Sequence, residues 1–200
     1  MTLSAGLRAV GRPLLDDQLA HPTVAGIAAG TLDDAAFRWW LEQDYLFLLD
    51  YVRVFARLAG QAPDAHVGDL VDLAHETLHG ELDLHRSLAA SFGADLEGAT
   101  KGPACTAYTE FLLAAGAGDY GVGLAALFPC MWGYSTLGRL LPTPREPRYR
   151  RWVETYADPS FAALAQRCGE MLDEADPDPV AAETAFRRAL AYELDFWDVP

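Results

Sequence analysis

The sequence predicts an all-α fold, and three observations carry that prediction. Apolar residues recur at intervals of three and four along most of the chain, which is the spacing of a helix face. Runs of β-branched residues, which strands favour, are missing. A chain of 200 residues that is 51% hydrophobic and 22% charged can bury a full-sized core. We therefore predict one compact domain over residues 1–200, built as a bundle of seven to eight helices.

Glycine, proline and aspartate separate the predicted helices in chain order. Thr31 and Asp34 resemble a capping box, with Asp in place of Glu, that would start the second helix. Glycines at 60, 93 and 102 divide the middle of the chain, and aspartate-proline steps divide its C-terminal part. The eight predicted helices span 3–19, 32–59, 66–92, 103–115, 119–140, 146–156, 159–174 and 179–197.

Charge and cysteine content argue against several classes of function. The net charge of −14 disfavours a nucleic-acid partner and an anionic membrane surface, because both would need a basic patch. Three cysteines without a Cys-x-x-Cys pair are typical of reduced, cytoplasmic thiols. Arg8 and Arg12 interrupt the apolar run that a signal peptide would need. We expect a cytoplasmic protein.

Residues 120–138 carry no charge and hold a thiol beside a proline. This stretch approaches the length of a membrane span, but it contains four glycines and a proline, so a buried core helix is the better interpretation. Pro129 lacks an N–H and should bend the helix just before Cys130. Tyr134 follows four residues later and shares a face with the thiol. The pair could form one wall of a reactive pocket.

Two acidic residues fall on apolar helix faces where a core is expected. Asp44 lies between Leu41 and Phe47, and Glu193 lies in the apolar stripe of the last helix. Ionised carboxylates are rarely buried without partners, because removing the charge from water is costly. Both acids could line a polar ligand site, and burial would then raise the pKa of Glu193. Internal salt bridges or hydrogen bonds to tyrosine are an equally good explanation.

Other residues of the apolar stripes have a simpler interpretation when each is taken alone. Tyr108 and Tyr156 are more often core residues than ligand contacts. Cys130 by itself would be an inert buried thiol, and so would Cys105 and Cys168.

The segment His75-Glu76-Thr77-Leu78-His79 matches the zinc motif H-E-x-x-H, and His85 stands where a third ligand could follow. In a continuous helix the six residues from His79 to His85 turn the chain by about 600°, a net ~240°, so that His85 lies on the far side of the helix from His79. We therefore interpret the motif as a solvated face of the third helix. A di-iron site is disfavoured too, because the last two helices lack Glu-x-x-His pairs. We expect no metal.

Four blocks in order resemble the TenA family of thiaminase II enzymes, relatives of the haem-oxygenase-like helical fold. They are HPTVAGI at 21–27 leading to QD at 43–44, LFPCMWGY at 127–134, YRRWVETY at 149–156 and YELDFW at 192–197. The resemblance spans nearly the whole chain.

The resemblance implies a hydrolase without a cofactor that acts on the aminopyrimidine half of thiamin and its breakdown products. It makes Cys130 the nucleophile that adds to the pyrimidine ring and Glu193 the group that protonates a ring nitrogen. Asp44 would bind the ring's amino edge. The remaining pocket residues would be Phe47, Tyr108, Tyr134 and Tyr156. Many family members have tyrosine in place of Phe47, so one hydroxyl contact is lost here.

Two other functions stay open at the level of the sequence. One is a non-catalytic pyrimidine-binding or regulatory protein on the same fold, although a binder would not need the thiol and both acids together. The other is a metal-dependent oxidase of the same superfamily, which the histidine distribution disfavours. The family resemblance also implies a homotetramer.

Overall fold

The computed structural model describes residues 1–200 and contains ten α-helices, one π-helical turn and no strand. The predicted all-α class is therefore confirmed. The helices are α1 Leu3–Ala20, α2 Pro22–Ala29, α3 Asp34–Ala59, α4 Asp64–Glu76, α5 Leu82–Phe92, α6 Pro103–Ala115, α7 Tyr120–Leu140, α8 Pro147–Ala157, α9 Pro159–Ala175 and α10 Pro179–Phe196, and the π-helical turn is Thr77–Glu81 between α4 and α5.

The count of seven to eight helices was too low for two reasons. Helix α2 was missed because it is short and apolar, although Pro22 at its first position and Gly30 at its end mark it. Gly30 has φ +69°, the left-handed conformation that commonly ends a helix. The predicted helix 66–92 is divided by the π-helical turn, whose wider spacing sequence periodicity does not reveal.

The start of α3 also differs from the predicted capping box. Asp33 is the N-cap, and its Oδ1 accepts hydrogen bonds from the amides of Ala35 at 2.8 Å and Ala36 at 3.4 Å. Thr31 takes no part, so the capping box was wrong. Aspartate at this position binds the free amides of the first turn as threonine would.

Helix α7 lies at the centre of the molecule, in contact with α3, α6, α8, α9 and α10. Sixteen of its 21 residues are buried, which confirms a core helix. Asp119 caps it by accepting the amide of Val122 at 2.9 Å, and the helix continues through Pro129. None of the ten helices combines the length and apolar character needed to cross a lipid bilayer.

A cluster of buried indole rings joins α3, α8 and the end of α10. Trp40 stacks on Trp197 with centroids 5.3 Å apart, and Trp152 meets both rings edge-on. The indole N–H of Trp197 donates to Gln18 of α1 at 3.3 Å. These contacts hold the C-terminal end of α10, which carries Glu193, against the middle of α3, which carries Asp44.

Candidate active site

The seven residues singled out from the sequence come from five helices and face one buried region. Each is at most 5% exposed. Helix α3 supplies Asp44 and Phe47, α6 supplies Tyr108, α7 supplies Cys130 and Tyr134, α8 supplies Tyr156 and α10 supplies Glu193. Hydrogen bonds or ring contacts join Tyr108 to Glu193, Phe47 to Tyr108 and Tyr134 to Tyr156. No pair of helices that are adjacent in sequence supplies the whole group, so it forms only when the chain folds.

Cys130 is a buried thiol surrounded by acidic groups. Burial raises the pKa of its Sγ–H well above the ordinary value, and the charges of Glu193, Glu81 and Asp44 raise it further. The thiol is therefore protonated at neutral pH. A reaction that uses it as a nucleophile must remove its proton as the new bond forms, which requires a nearby acceptor.

Glu193 has the properties of a proton donor at neutral pH. Its side chain is 3% exposed, and burial raises its pKa to about 8, although a hydrogen bond from Tyr108 acts in the opposite direction. The Tyr108 hydroxyl donates to Oε1 at 2.6 Å. No protein group bonds Oε2. The protonated carboxyl group can therefore present an O–H into the site.

Asp44 is held by a buried histidine. Its Oδ2 lies 2.7 Å from Nε2 of His85, and Nδ1 of His85 lies 2.7 Å from the carbonyl oxygen of Glu81. Burial lowers the pKa of His85, but the hydrogen bond and charge of Asp44 outweigh that effect and raise it overall. Oδ1 of Asp44 has no protein partner. One carboxylate oxygen is thus anchored and the other is available.

Aromatic rings line two sides of this group. Phe47 packs against Tyr108 with centroids 4.9 Å apart and against Tyr51 at 5.3 Å. Tyr134 packs against Tyr156 at 4.9 Å. The Tyr51 hydroxyl donates to the carbonyl of Leu127 at 2.8 Å, in the turn just before Pro129. Flat apolar walls with a few polar atoms between them are typical of sites that bind aromatic heterocycles.

The hydrogen bonds alone do not separate a ligand site from a structural network. Asp44 with His85 and Glu193 with Tyr108 are the kind of partners that a purely structural role would also provide. The free oxygens favour a ligand site, because a structural network normally satisfies both oxygens of each buried acid. Oδ1 of Asp44 and Oε2 of Glu193 are both left without a protein partner.

The role of His85 was not recognised from the sequence, which placed this residue on the helix face opposite His79. His75 and His79 are exposed, as expected, but His85 is fully buried against Asp44. The sequence does contain the signal. His85 begins the buried stripe that continues with Leu88, Ala89 and Phe92, at intervals of three, four and seven residues.

Glu81 is a second residue that the sequence did not reveal. Its carboxyl group accepts from Thr77 and from the Tyr156 hydroxyl, each at 3.3 Å, and it lines a cavity of about 240 Å³ between the π-helical turn and the start of α9. Burial raises its pKa to about 7, with a further contribution from the charge of Asp44. The π-helical turn presents both Glu81 and, four residues on, His85 to the site.

Comparison with known proteins identifies the family. The model of the TENA/THI-4/PQQC family matches residues 9–199. The chain belongs to this family. It is 33% identical to an aminopyrimidine aminohydrolase of Halalkalibacterium halodurans, over all of this chain and 95% of that protein. It is 28% identical to an aminopyrimidine aminohydrolase of Bacillus subtilis, over 98% of this chain and 89% of that protein.

Solved structures of the family have the same fold. A TenA homologue of P. horikoshii OT3 superposes with a TM-score of 0.92 at 23% identity and covers 98% of this chain and 97% of its own. A protein described as a TenA family transcription regulator, from Silicibacter sp. TM1040, gives 0.90 at 28% identity and covers 98% of this chain and 94% of its own. A Shewanella denitrificans domain with a haem-oxygenase-like fold gives 0.77 at 17% identity, covering 97% and 90%. The fold is haem-oxygenase-like.

Proposed function

We propose that the protein is a hydrolase of thiamin salvage that converts aminomethylpyrimidine to hydroxymethylpyrimidine. Three relatives that the chain matches over most of their length are named aminopyrimidine aminohydrolase. The observation that carries the proposal is the burial of one thiol near two acids, each with one oxygen unpaired to protein, among aromatic side chains. Cys130, Glu193 and Asp44 come from three helices that are far apart in sequence. A second substrate, thiamin, fits the same chemistry, with the thiazole as leaving group.

The first step of the proposed reaction uses all three groups. Asp44 accepts a hydrogen bond from the ring amino group through Oδ1. The Glu193 carboxyl group gives its proton to a ring nitrogen, and Sγ of Cys130 adds to the adjacent ring carbon. The thiol proton then passes to the Glu193 carboxylate, which restores the acid. Protonation of the ring makes the carbon electrophilic enough for a sulfur nucleophile, so a nearby neutral acid is required.

The remaining steps exchange the leaving group for water. Electrons of the dearomatised ring expel the amine from the methylene carbon as ammonia, which takes a proton from a neighbouring acid. Water then adds to the exocyclic methylene carbon and returns a proton to that acid. Loss of the thiol from the ring, with return of its proton, restores aromaticity and frees hydroxymethylpyrimidine. In this scheme one of the site tyrosines, Tyr134 or Tyr156, whose rings pack 4.9 Å apart, assists the leaving group.

The direct experiment is incubation of the purified protein with aminomethylpyrimidine and, separately, with thiamin, following both products of each reaction. We expect ammonia and hydroxymethylpyrimidine in equal amounts from the first substrate. Cys130→Ser is the test variant, and Cys168→Ser is the matched control because Cys168 is also buried. Turnover of neither substrate by the wild-type protein would refute the proposal.

A second candidate is a pyrimidine-binding regulatory protein on the same fold. The description of the Silicibacter relative as a transcription regulator favours it. Such a protein would bind hydroxymethylpyrimidine without consuming aminomethylpyrimidine, so the same incubation separates the two functions. The third possibility, a metal-dependent oxidase, predicts stoichiometric iron or zinc in the purified protein, which metal analysis would detect.

We also propose that the protein works in the cytoplasm as a homotetramer. Three buried free cysteines fit a reducing compartment. The tetramer rests on the family resemblance alone. Light scattering coupled to gel filtration would measure the mass, and a single species near 21.8 kDa would contradict it.

A further inference from the structure

Both ring nitrogens of His85 face acceptors, and this fixes where the protons of the site lie. Nδ1 faces the Glu81 carbonyl oxygen, which can only accept, so Nδ1 carries a hydrogen. Nε2 faces Oδ2 of Asp44 at 2.7 Å, a distance that requires one proton between the two atoms. That proton belongs either to the imidazolium or to the aspartic acid.

In both of these states Oδ1 of Asp44 carries no hydrogen. In one state His85 is an imidazolium and Asp44 a carboxylate, and in the other His85 is neutral and Asp44 is an acid. The two states differ only in whether Nε2 or Oδ2 holds the shared proton. In either case Oδ1 can act only as an acceptor, and no protein group hydrogen-bonds to it. Without His85, Asp44 would have no hydrogen-bond partner in the protein, and a proton on its carboxyl group could sit on either oxygen.

We propose that His85 is the positioning residue that makes Asp44 an acceptor-only contact, so that the site selects a pyrimidine with an amino group over one with an oxo group at the same ring position. The inference rests on the proposed function for the identity of the ring. An amino group donates to Oδ1, whereas an oxo group would place two acceptors against each other in a buried site. Sites built to bind a donor can reject an analogue that lacks it by about 10⁴-fold or more.

Other ionisable groups that face Asp44 and His85 do not replace this role. They are Glu81 on the π-helical turn, Tyr108 on α6, Cys130 and Tyr134 on α7, Tyr156 on α8 and Glu193 on α10. Glu81 is turned toward Thr77 and Tyr156, and Glu193 is bonded to Tyr108. Only His85 contacts the Asp44 carboxyl group itself.

The test measures binding rather than turnover, so that it is independent of catalysis. Dissociation constants are measured by calorimetry at pH 7 for hydroxymethylpyrimidine and for its analogue with an oxo group in place of the ring amino group. For the wild-type protein we expect the amino compound to bind at least about 10³-fold more tightly. His85→Leu should reduce that ratio to less than about tenfold, since Oδ1 can then carry a proton and donate.

Two further variants control the experiment. His85→Gln keeps an N–H that can donate to Oδ2 and should retain a ratio above about 10²-fold. His79→Leu removes an exposed histidine six residues earlier and should behave as the wild type. The proposal is overturned if the wild-type ratio is near one, if folded His85→Leu keeps the wild-type ratio, or if His85→Gln loses it. Should His85→Leu fail to fold, the wild-type and His85→Gln ratios still decide.

The outcome also separates this inference from the proposed function. If the wild-type protein releases ammonia from aminomethylpyrimidine but the ratio of the two dissociation constants is the same in His85→Leu, the inference alone is contradicted. Wild-type protein that shows the ratio but releases no ammonia contradicts the hydrolase and leaves the role of His85 in binding intact.

Discussion

Two buried cysteines of this protein differ in what surrounds them. Cys168 on α9 is fully buried, and burial alone raises its pKa to about 12. Cys130 on α7 is nearly as buried, but the charges of Glu193, Glu81 and Asp44 add to the effect of burial. Burial is common to both thiols and therefore does not mark a reactive one. Of these two thiols, Cys130 alone has nearby acids that can take and return a proton, and for this reason the proposed function assigns it the role of nucleophile.

The largest effect should separate the two thiols directly. Cys130→Ser should lower kcat for aminomethylpyrimidine by at least about 10⁴-fold, because a serine hydroxyl is a far weaker nucleophile. Cys168→Ser should keep kcat within about threefold of the wild type if it folds. Steady-state ammonia release, with circular dichroism as a check of folding, measures both. Equal activity of the two variants would remove the distinction between the cysteines.

The next effect concerns the acid beside Cys130. Glu193→Gln keeps an acceptor for the Tyr108 hydroxyl but cannot give a proton, so kcat should fall by about 10²–10³-fold with KM changed only a few-fold. Steady-state kinetics separate the two constants. A large rise in KM with unchanged kcat would assign Glu193 to binding.

A smaller effect is expected for the residue that binds the ring. Asp44→Ala removes a charge-assisted contact and should weaken binding of hydroxymethylpyrimidine by about 10–100-fold, as well as reduce turnover. Asp50→Asn on the same helix is the control, because Asp50 pairs with Lys101 and Arg53 outside the site. Calorimetry measures the affinity, and unchanged binding in Asp44→Ala would return this acid to a structural role.

The pH dependence should follow the protonation of Glu193. In the proposed reaction its acid form is the active one, and its pKa is raised to about 8, so kcat/KM should fall about tenfold per pH unit above that value. The wild-type profile between pH 6 and 10 tests this, with Cys168→Ser as a parallel. If the residual activity of Glu193→Gln falls at high pH in the same way as the wild-type activity, that fall reflects the ionisation of another group.

The smallest effect is on stability. A carboxyl group whose pKa is higher in the folded state contributes stability below its unfolded value of about 4.5, and loses it as pH rises through about 8. Glutamine does not titrate. Glu193→Gln should therefore match the wild-type Tm near pH 4 and exceed it by several degrees at pH 9. A constant difference across this range would show that burial does not oppose ionisation of Glu193.

Much of the fold, and the burial of the three groups to which we assign the chemistry, could be predicted from the sequence. Apolar periodicity identified the long helices. It also singled out Asp44 and Glu193, because each interrupts an apolar stripe. The uncharged run around Cys130 was correctly interpreted as a core helix. These features are local, so a single sequence reveals them.

The partners of those groups could not be predicted, for physical reasons. The π-helical turn changes which side chains face inward, so helical periodicity did not reveal that His85 pairs with Asp44 or that Glu81 is buried beside Tyr156. Helix α2 lacks a polar face and gives no periodic signal. The nature of the substrate came from the family resemblance, because no spacing of carboxylates identifies a pyrimidine.

The central claim is that Cys130 adds to the pyrimidine ring, and a stopped-flow experiment tests it most directly. Enzyme in excess is mixed with aminomethylpyrimidine while ring absorbance and ammonia release are followed together. We predict that ring absorbance falls before ammonia appears and recovers as hydroxymethylpyrimidine forms, and that Cys130→Ser shows neither change. Ammonia released by the wild-type protein with the ring absorbance constant throughout, or the same traces from Cys130→Ser, would contradict the account.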